Sequence, residues 1–285
     1  MRNTWQLSNR VVRIDRPYVV GILNTTPDSF SDGAQFESSE RALEHARRMR
    51  DEGADIIDIG GESTRPQGAA IVSAEDELRR VLPTIRAVRD EMPDMLISVD
   101  TTKSDVARAA IDAGADIIND VSGFRLDPRM GEIAARTRAG VVLMHSRGGV
   151  KEMATYRHAE YADVVHDVVD ELRASLARAE AAGVREDAIV LDPGIGFSKR
   201  TEHSLRVLSE LTDVVALGRP VLVGVSRKRF VGELSRVELA RDRIAGTVGA
   251  NVAALMRGAR LFRVHDVAPN RQALDVAWGI VQARS

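Results

Sequence analysis

Two stretches of the chain read almost alike: Glu52-Gly-Ala-Asp-Ile-Ile-Asp-Ile-Gly60 and Ala113-Gly-Ala-Asp-Ile-Ile-Asn-Asp-Val121. Each sets a glycine where a helix must stop, because glycine enters the left-handed C-cap conformation without strain. Each then runs into a short β-branched stretch, the length of a strand buried on both faces. Between such units the apolar spacing turns helical. Leu78, Val81, Leu82, Ile85 and Val88 fall on one face behind a Ser73…Asp76 capping signal. Val165, Val168, Val169, Leu172 and Leu176 form a second such face. Strands alternating with amphipathic helices predict βαβ units and a parallel sheet.

Outward from these units, the same kind of apolar run recurs at Val19–Leu23, Asp55–Ile59, Leu96–Val99, Asp116–Ile118, Gly140–Met144, Ala188–Leu191, Val221–Val225 and Leu261–Val264. Eight parallel strands predict closure into an α/β (βα)8 TIM barrel. An open doubly wound sheet is the competing architecture, but no Gly-x-Gly-x-x-Gly comes after the first run. Thr4 to Arg16 read as a short N-terminal strand pair that could plug one end of the barrel. No low-complexity linker divides the 285 residues, so residues 1–285 are expected to form a single domain, a size that α/β barrels accommodate.

Composition narrows the function. Only 4% of residues are aromatic and the formal net charge is -2, so neither stacking platforms nor a basic field would hold nucleic acid. No run of uncharged apolar residues reaches the length of a membrane span, and the first sixteen residues lack a signal peptide's apolar segment. The chain contains no cysteine, which excludes disulfides, thiolate nucleophiles and cysteine-ligated zinc and fits a reducing cytosol.

The residues at the C-terminal ends of the eight runs point to a site. In order they are Asn24, the Gly61-Glu62-Ser63-Thr64-Arg65 loop, Asp100, Asn119, His145, Asp192, Ser226-Arg227-Lys228, and Arg263 with His265. Any one polar loop residue is ordinary. All eight together match the face where barrel enzymes carry their catalytic groups. Cations at the seventh and eighth strands match the phosphate corner of such barrels, and Arg263 and His265 point to the same side of an extended chain. A diphosphate or phosphate ester is the expected guest there. Asp100, Asn119 and Asp192 would suit a planar heterocycle with adjacent N–H donors, since a carboxylate accepts two parallel N–H bonds.

Other barrel chemistries fit less well. A metal-dependent hydrolase would cluster histidines, whereas the first strand here ends Asn24-Thr-Thr-Pro-Asp28 and the six histidines are scattered. A glycosidase would use paired carboxylates, for which Asp100 and Asp192 could serve, but the cationic corner would be idle. A Schiff-base aldolase needs a lysine of lowered pKa, and Lys228 between Arg227 and Arg229 keeps that possibility open.

The same residues, from about Val19 to the C-terminus, resemble the dihydropteroate synthases of folate biosynthesis. The motifs are Gly21-Ile-Leu-Asn-Thr-Thr-Pro-Asp-Ser-Phe-Ser-Asp-Gly33, Gly60-Gly-Glu-Ser-Thr-Arg-Pro66, Ser98-Val-Asp-Thr101, Ile118-Asn-Asp-Val121, Asp192-Pro-Gly-Ile-Gly-Phe197, Ser226-Arg-Lys228 and Arg263-Val-His-Asp-Val267. The resemblance implies a transferase that joins 6-hydroxymethyl-7,8-dihydropterin diphosphate to p-aminobenzoate, releasing diphosphate, by an SN1-like cleavage of the C–O bond. It implies Asn24 as the ligand of a magnesium ion, and Arg263 and His265 on the diphosphate. Asp100, Asn119 and Asp192 would bind the pterin, Lys228 its carbonyl side, and Thr64 would join the pterin diphosphate set. Asp100, Lys228, Arg263 and His265 are the implied catalytic groups. Phe30, Thr64, Arg65, Pro66, Phe197 and Arg229 would surround p-aminobenzoate, the loops of Phe30 and Arg65 being the mobile pair. A cytosolic homodimer is implied as well.

Three places depart from the family. Met144-His-Ser-Arg-Gly-Gly-Val150 lacks its Met-x-Gly-Thr-Pro string, leaving His145 and Arg147 without an assigned part. Arg229 stands where many members carry serine. Gln67 separates Pro66 from Gly68. A pterin-binding methyltransferase on the same barrel and a non-catalytic pterin-binding paralogue are the alternatives. Sulfonamides compete with p-aminobenzoate in this family, and the geometry of the Phe30 and Arg65 loops decides whether they are admitted here.

Overall fold

The computed structural model describes residues 4–25, 35–62 and 72–283. Both glycine-led segments behave as their sequence predicts. Gly53 and Gly114 close the preceding helices with φ of 94° and 111°, and each is succeeded by a strand buried along its whole length.

The chain opens with a two-stranded antiparallel sheet, β1 (Thr4–Gln6) against β2 (Val11–Arg13). Eight strands then build one parallel sheet: β3 (Tyr18–Asn24), β4 (Ile56–Gly60), β5 (Leu96–Asp100), β6 (Ile117–Asp120), β7 (Gly140–Met144), β8 (Ile189–Asp192), β9 (Leu222–Val223) and β10 (Leu261–Val264). Their order is β8-β7-β6-β5-β4-β3-β10-β9, and a parallel bridge between Leu191 and Val221 joins the two ends. The sheet is a barrel. The connecting helices are α1 (Gln35–Asp51), α2 (Ala74–Glu91), α3 (Ser104–Asp112), α4 (Met130–Thr137), α5 (Val164–Ala181), α6 (Thr201–Ser209), α7 (Leu211–Val215), α8 (Arg229–Ser235), α9 (Ile244–Met256) and α10 (Val267–Gln282). The capping signal before α2 is realised, with Ser73 Oγ accepting from the Asp76 N–H at 3.0 Å.

Alternation along each strand splits the core in two. Val19, Leu23, Ile57, Ile59, Ile97, Val99 and Ile118 pack outward against the helices. Val20, Ile56, Leu96, Ile117, Val142, Val190, Leu222 and Leu261 meet inside the barrel, together with Trp5, Leu7, Val12 and Ile14 from the N-terminal hairpin. The hairpin therefore plugs one end, as expected, and Trp5 Nε1 donates to the Ala188 carbonyl at 2.8 Å.

Several strands run past their apolar stretches. Asn24, Asp100, Asn119 and Asp192 are strand residues, because their backbones still pair: Asn24 with Gly60, Asp100 with Asn119, Asp192 with Met144. The run read at Val221–Val225 shrinks instead to Leu222–Val223, since the next turn begins at Val225, whose carbonyl accepts the Lys228 N–H at 3.2 Å.

Candidate active site

With Val20, Ile56, Leu96, Ile117, Val190, Leu222 and Leu261 inside, counting in twos along each strand fixes what else faces inward. The series gives Asn24, Asp58 and Gly60, Ser98 and Asp100, Asn119, Asp192, Gly224 and Ser226, Arg263 and His265. At the end opposite the hairpin these residues open into a cavity of 790 Å3 that Asn24, Asp100, Asn119, Asp192, Lys228, Arg263 and His265 all line. Two of the inward positions are glycine. A Cβ on Gly60 would stand 3.8 Å from Asn24 Oδ1 and 3.5 Å from Asp100 Cβ, and one on Gly224 would stand 3.9 Å from Asp192 Oδ2. The bare backbone leaves that space to a ligand.

Arg263 ties the floor together. Its Nε donates to Asp58 Oδ2 at 2.6 Å and one terminal nitrogen donates to Asp100 Oδ2 at 2.7 Å. Burial works against its charge, but Asp58 and Asp100 outweigh it and hold the guanidinium protonated more firmly than usual. Asn119 Nδ2 also donates to Asp58 Oδ2, at 3.2 Å. Burial raises the Asp100 carboxyl against the pull of Arg263, with Asp58 adding like charge.

Asp192 is 5% exposed. Its Oδ1 accepts the Gly194 N–H at 2.7 Å. Burial pushes its carboxyl up to about 6, although that bond and Lys228 pull the other way. Lys228 points its ammonium at the face of Phe197, 3.7 Å from the ring centre. Burial brings it down to about 7, and Arg263 on the adjoining strand β10 adds to the shift. The neighbours in sequence are not the cause: Arg227 is turned to Asp266, at 2.6 Å and 3.0 Å, and Arg229 lies over the Tyr156 ring at 4.7 Å. His265 Nδ1 sits 3.0 Å from Ser226 Oγ.

His145 and Arg147 lie behind this wall. Met144 faces inward, so His145 faces outward, buried between Lys199 Nζ at 2.8 Å from Nδ1 and Glu171 at 3.2 Å from Nε2. Burial first, and Lys199 second, lower the imidazole pKa to about 4, so the ring is neutral. Burial opposes the Glu171 charge, yet the donors from His145 and Arg147 outweigh it and hold the carboxyl near 2.

The sequence profile described as "pterin binding enzyme" matches residues 20–265. The chain is 44% identical to the dihydropteroate synthase of Synechocystis over 262 residues, 92% of this chain and 89% of that one. The chain belongs to the dihydropteroate synthases, among the pterin binding enzymes. Solved structures agree with that placement. A Xanthomonas albilineans dihydropteroate synthase with 4-aminobenzoic acid superposes with a TM-score of 0.91 at 44% identity, covering 99% of both chains. The same organism's enzyme in complex with 7,8-dihydropteroate gives 0.87 at 43% identity, over 98% of this chain and 99% of that one. The open doubly wound sheet is thereby set aside, and so are the glycosidase, aldolase and methyltransferase readings.

The cavity gathers Asn24, Asp100, Asn119, Asp192, Phe197, Lys228, Arg229, Arg263 and His265 of the residues singled out in the sequence. Phe30, Thr64, Arg65 and Pro66 lie outside the described residues. Two buried groups escape a reading of strand ends. Asp58 sits one inward step below the rim, and counting in twos from Gly60 would have found it. Lys199 also borders the cavity, yet a lysine in a polar loop carries no mark of burial in its sequence.

Proposed function

We propose that the cavity holds 6-hydroxymethyl-7,8-dihydropterin diphosphate with its ring against Asp100, Asn119, Asp192 and Lys228 and its diphosphate toward Arg263 and His265. The observation that carries this is the gathering of those polar groups in one cavity whose inward glycines leave room for a flat ring. p-Aminobenzoate enters beside Phe197 and Arg229, with Thr64, Arg65, Pro66 and Phe30 completing its surroundings. A sulfonamide that mimics this amine competes for the same space.

The reaction is read as SN1-like. The bond from the pterin methylene carbon to the diphosphate oxygen breaks, and its electron pair leaves with the diphosphate. The pterin ring spreads the positive charge, the neutral aromatic amine attacks the methylene carbon, and the new C–N bond sheds one proton. No nucleophile comes from the protein. Arg263 and His265 stabilise the departing diphosphate, while Asp100 and Asp192 stabilise the cation that remains. Asp58 keeps Arg263 and Asn119 oriented beneath the ring.

Magnesium fits this arrangement as a companion of the substrate. Among the described residues no cluster of three or more His, Asp or Glu could hold a metal by itself. Magnesium, however, keeps several waters and is satisfied by one or two protein oxygens plus phosphate oxygens. Asn24 would supply such an oxygen, and Gly60 beside it puts no side chain in the way. When bound, the ion would neutralise charge on the diphosphate.

A cytosolic homodimer completes the reading. Between α6, α8 and α9 lies an apolar groove lined by Leu205, Leu208, Phe230, Val231 and Leu234, with Leu234 and Met256 exposed; a second copy would cover it. Among the described residues no helix is long and apolar enough to cross a membrane.

Titration calorimetry tests the proposed site. His265→Ala is expected to weaken pterin diphosphate binding about tenfold or more, the scale of one lost charge-assisted bond, while a pterin without phosphate binds as it does to the parent. Equal losses for both ligands would refute the assignment.

A further inference from the structure

Lys199 is 1% exposed, and burying an ammonium is costly unless every donor is satisfied. Its Nζ lies 2.8 Å from His145 Nδ1, 3.1 Å from the Gly194 carbonyl and 3.2 Å from the Phe197 carbonyl. An ammonium has as many N–H donors as there are acceptors here. Lys199 borders the cavity, but its donors are all spent on the protein. Burial brings Lys199 down to about 7; while it is protonated, His145 Nδ1 accepts from the ammonium and the imidazole proton sits on Nε2, facing Glu171 on α5.

These bonds hold an unusual coil. Residues 193–198 take positive φ at Gly194 (64°), Gly196 (77°) and Ser198 (48°), the last a non-glycine, and such backbone persists only when its surroundings fix it. Ser198 laces the coil to the loop after β7: its N–H donates to the Met153 carbonyl at 2.6 Å, and its Oγ to the Arg147 carbonyl at 2.9 Å. The coil presents two groups to the cavity. The Gly194 N–H meets Asp192, and the Phe197 ring covers Lys228 Nζ.

We propose that Lys199 is a positioning residue of the substrate site: fastened to His145, its ammonium holds the 193–198 coil in the shape that sets the Gly194 N–H against Asp192 and the Phe197 ring over Lys228. Outward-facing His145 thereby acts on the site from behind the barrel wall. Phe197 is more exposed to the change than Asp192 or Lys228, because Asp192 is also fixed by β8 and Lys228 by its own turn, in which its N–H donates to the Val225 carbonyl at 3.2 Å. The inference rests on the proposed reading that Phe197 borders p-aminobenzoate.

Steady-state kinetics with both substrates, alongside thermal melting, tests it. Lys199→Met is expected to raise KM for p-aminobenzoate at least about tenfold, with kcat and the KM for pterin diphosphate within about threefold of the parent. His145→Leu removes the same acceptor and should act alike, and the double variant should be no worse than the worse single one, as residues working as a unit behave. His145→Asn places Oδ1 near the lost Nδ1 and should restore p-aminobenzoate KM to within about threefold of the parent. An unchanged p-aminobenzoate KM in Lys199→Met, additive effects in the double variant, or a uniform loss in both KM values and kcat with lowered melting would overturn the proposal. If Lys199→Met does not fold, the contrast between His145→Leu and His145→Asn decides in the same way. Phe197→Ala separates the two levels. If it raises p-aminobenzoate KM and Lys199→Met does not, the positioning role alone falls; if it has no effect, the reading of the pocket falls with it.

Discussion

At Asp192 and Lys228, burial sets opposite charges against the same low-dielectric wall, and their shifts bracket a narrow pH range. In the proposed site Asp192 must be ionised to accept from a pterin's N–H groups, and its carboxyl is raised to about 6. Lys228 must keep its proton to donate to a carbonyl, and its ammonium is lowered to about 7. Burial raises the Asp100 carboxyl as well, to about 7, so pterin diphosphate affinity is expected to fall as pH drops through about 7 to 6 and again above about pH 7. Calorimetry across pH checks this, and Lys228→Met should lose the alkaline fall alone; a flat profile in the parent would contradict the geometry. Stability takes the other sign. A carboxyl whose folded pKa is raised favours the fold fully below its unfolded value of 3.8, and that contribution is lost as pH rises through about 6. Most of these residues were legible in the sequence because the barrel places function at strand ends. Asp58 was missed because it lies inside a strand, where an apolar neighbourhood hides it. Lys199 was missed because only the fold brings His145 and the Gly194 and Phe197 carbonyls around one nitrogen.

Strands and helices were readable to within a residue or two wherever hydrophobic period and chain punctuation agreed. The glycines before β4 and β6, and Ser73 before α2, mark their boundaries by the conformations they permit. The polar strand ends lie beyond the apolar runs and still pair, since sequence pattern records side chains, while strand pairing is decided by backbone. The N-terminal hairpin shows the value of a single large residue. Trp5 is 1% exposed, and a Cβ on Gly140 would collide with Leu7 of the hairpin and stand 3.2 Å from the Trp5 ring, so β7 keeps glycine there to admit the plug. Trp5→Ala is expected to cost about 3–5 kcal/mol of stability, the usual range for emptying a buried aromatic site. Urea denaturation measures it. Both KM values should stay at the parent level, because the plug closes the end of the barrel away from the cavity.

Over the whole molecule, a small plug closes one end of the barrel, an apolar layer of strand side chains rests on it, and a polar layer above lines the cavity. The β8–β9 seam, held by the Leu191–Val221 bridge, brings Asp192 beside the turn that carries Lys228. On the proposed reading, this mouth converts pterin diphosphate and p-aminobenzoate into dihydropteroate with the Asp192 carboxylate as an anchor. Asp192→Ala removes charge-assisted bonds worth roughly 1.5–3 kcal/mol each, so loss of two predicts a fall in kcat/KM of about a hundredfold or more. The most direct measurement is to incubate parent and Asp192→Ala proteins with the pterin diphosphate, p-aminobenzoate and magnesium, and to quantify dihydropteroate and diphosphate together. Equal amounts of the two products are expected from the parent, with a steep loss in the variant; no dihydropteroate from the parent, or undiminished turnover by the variant, would contradict the claim.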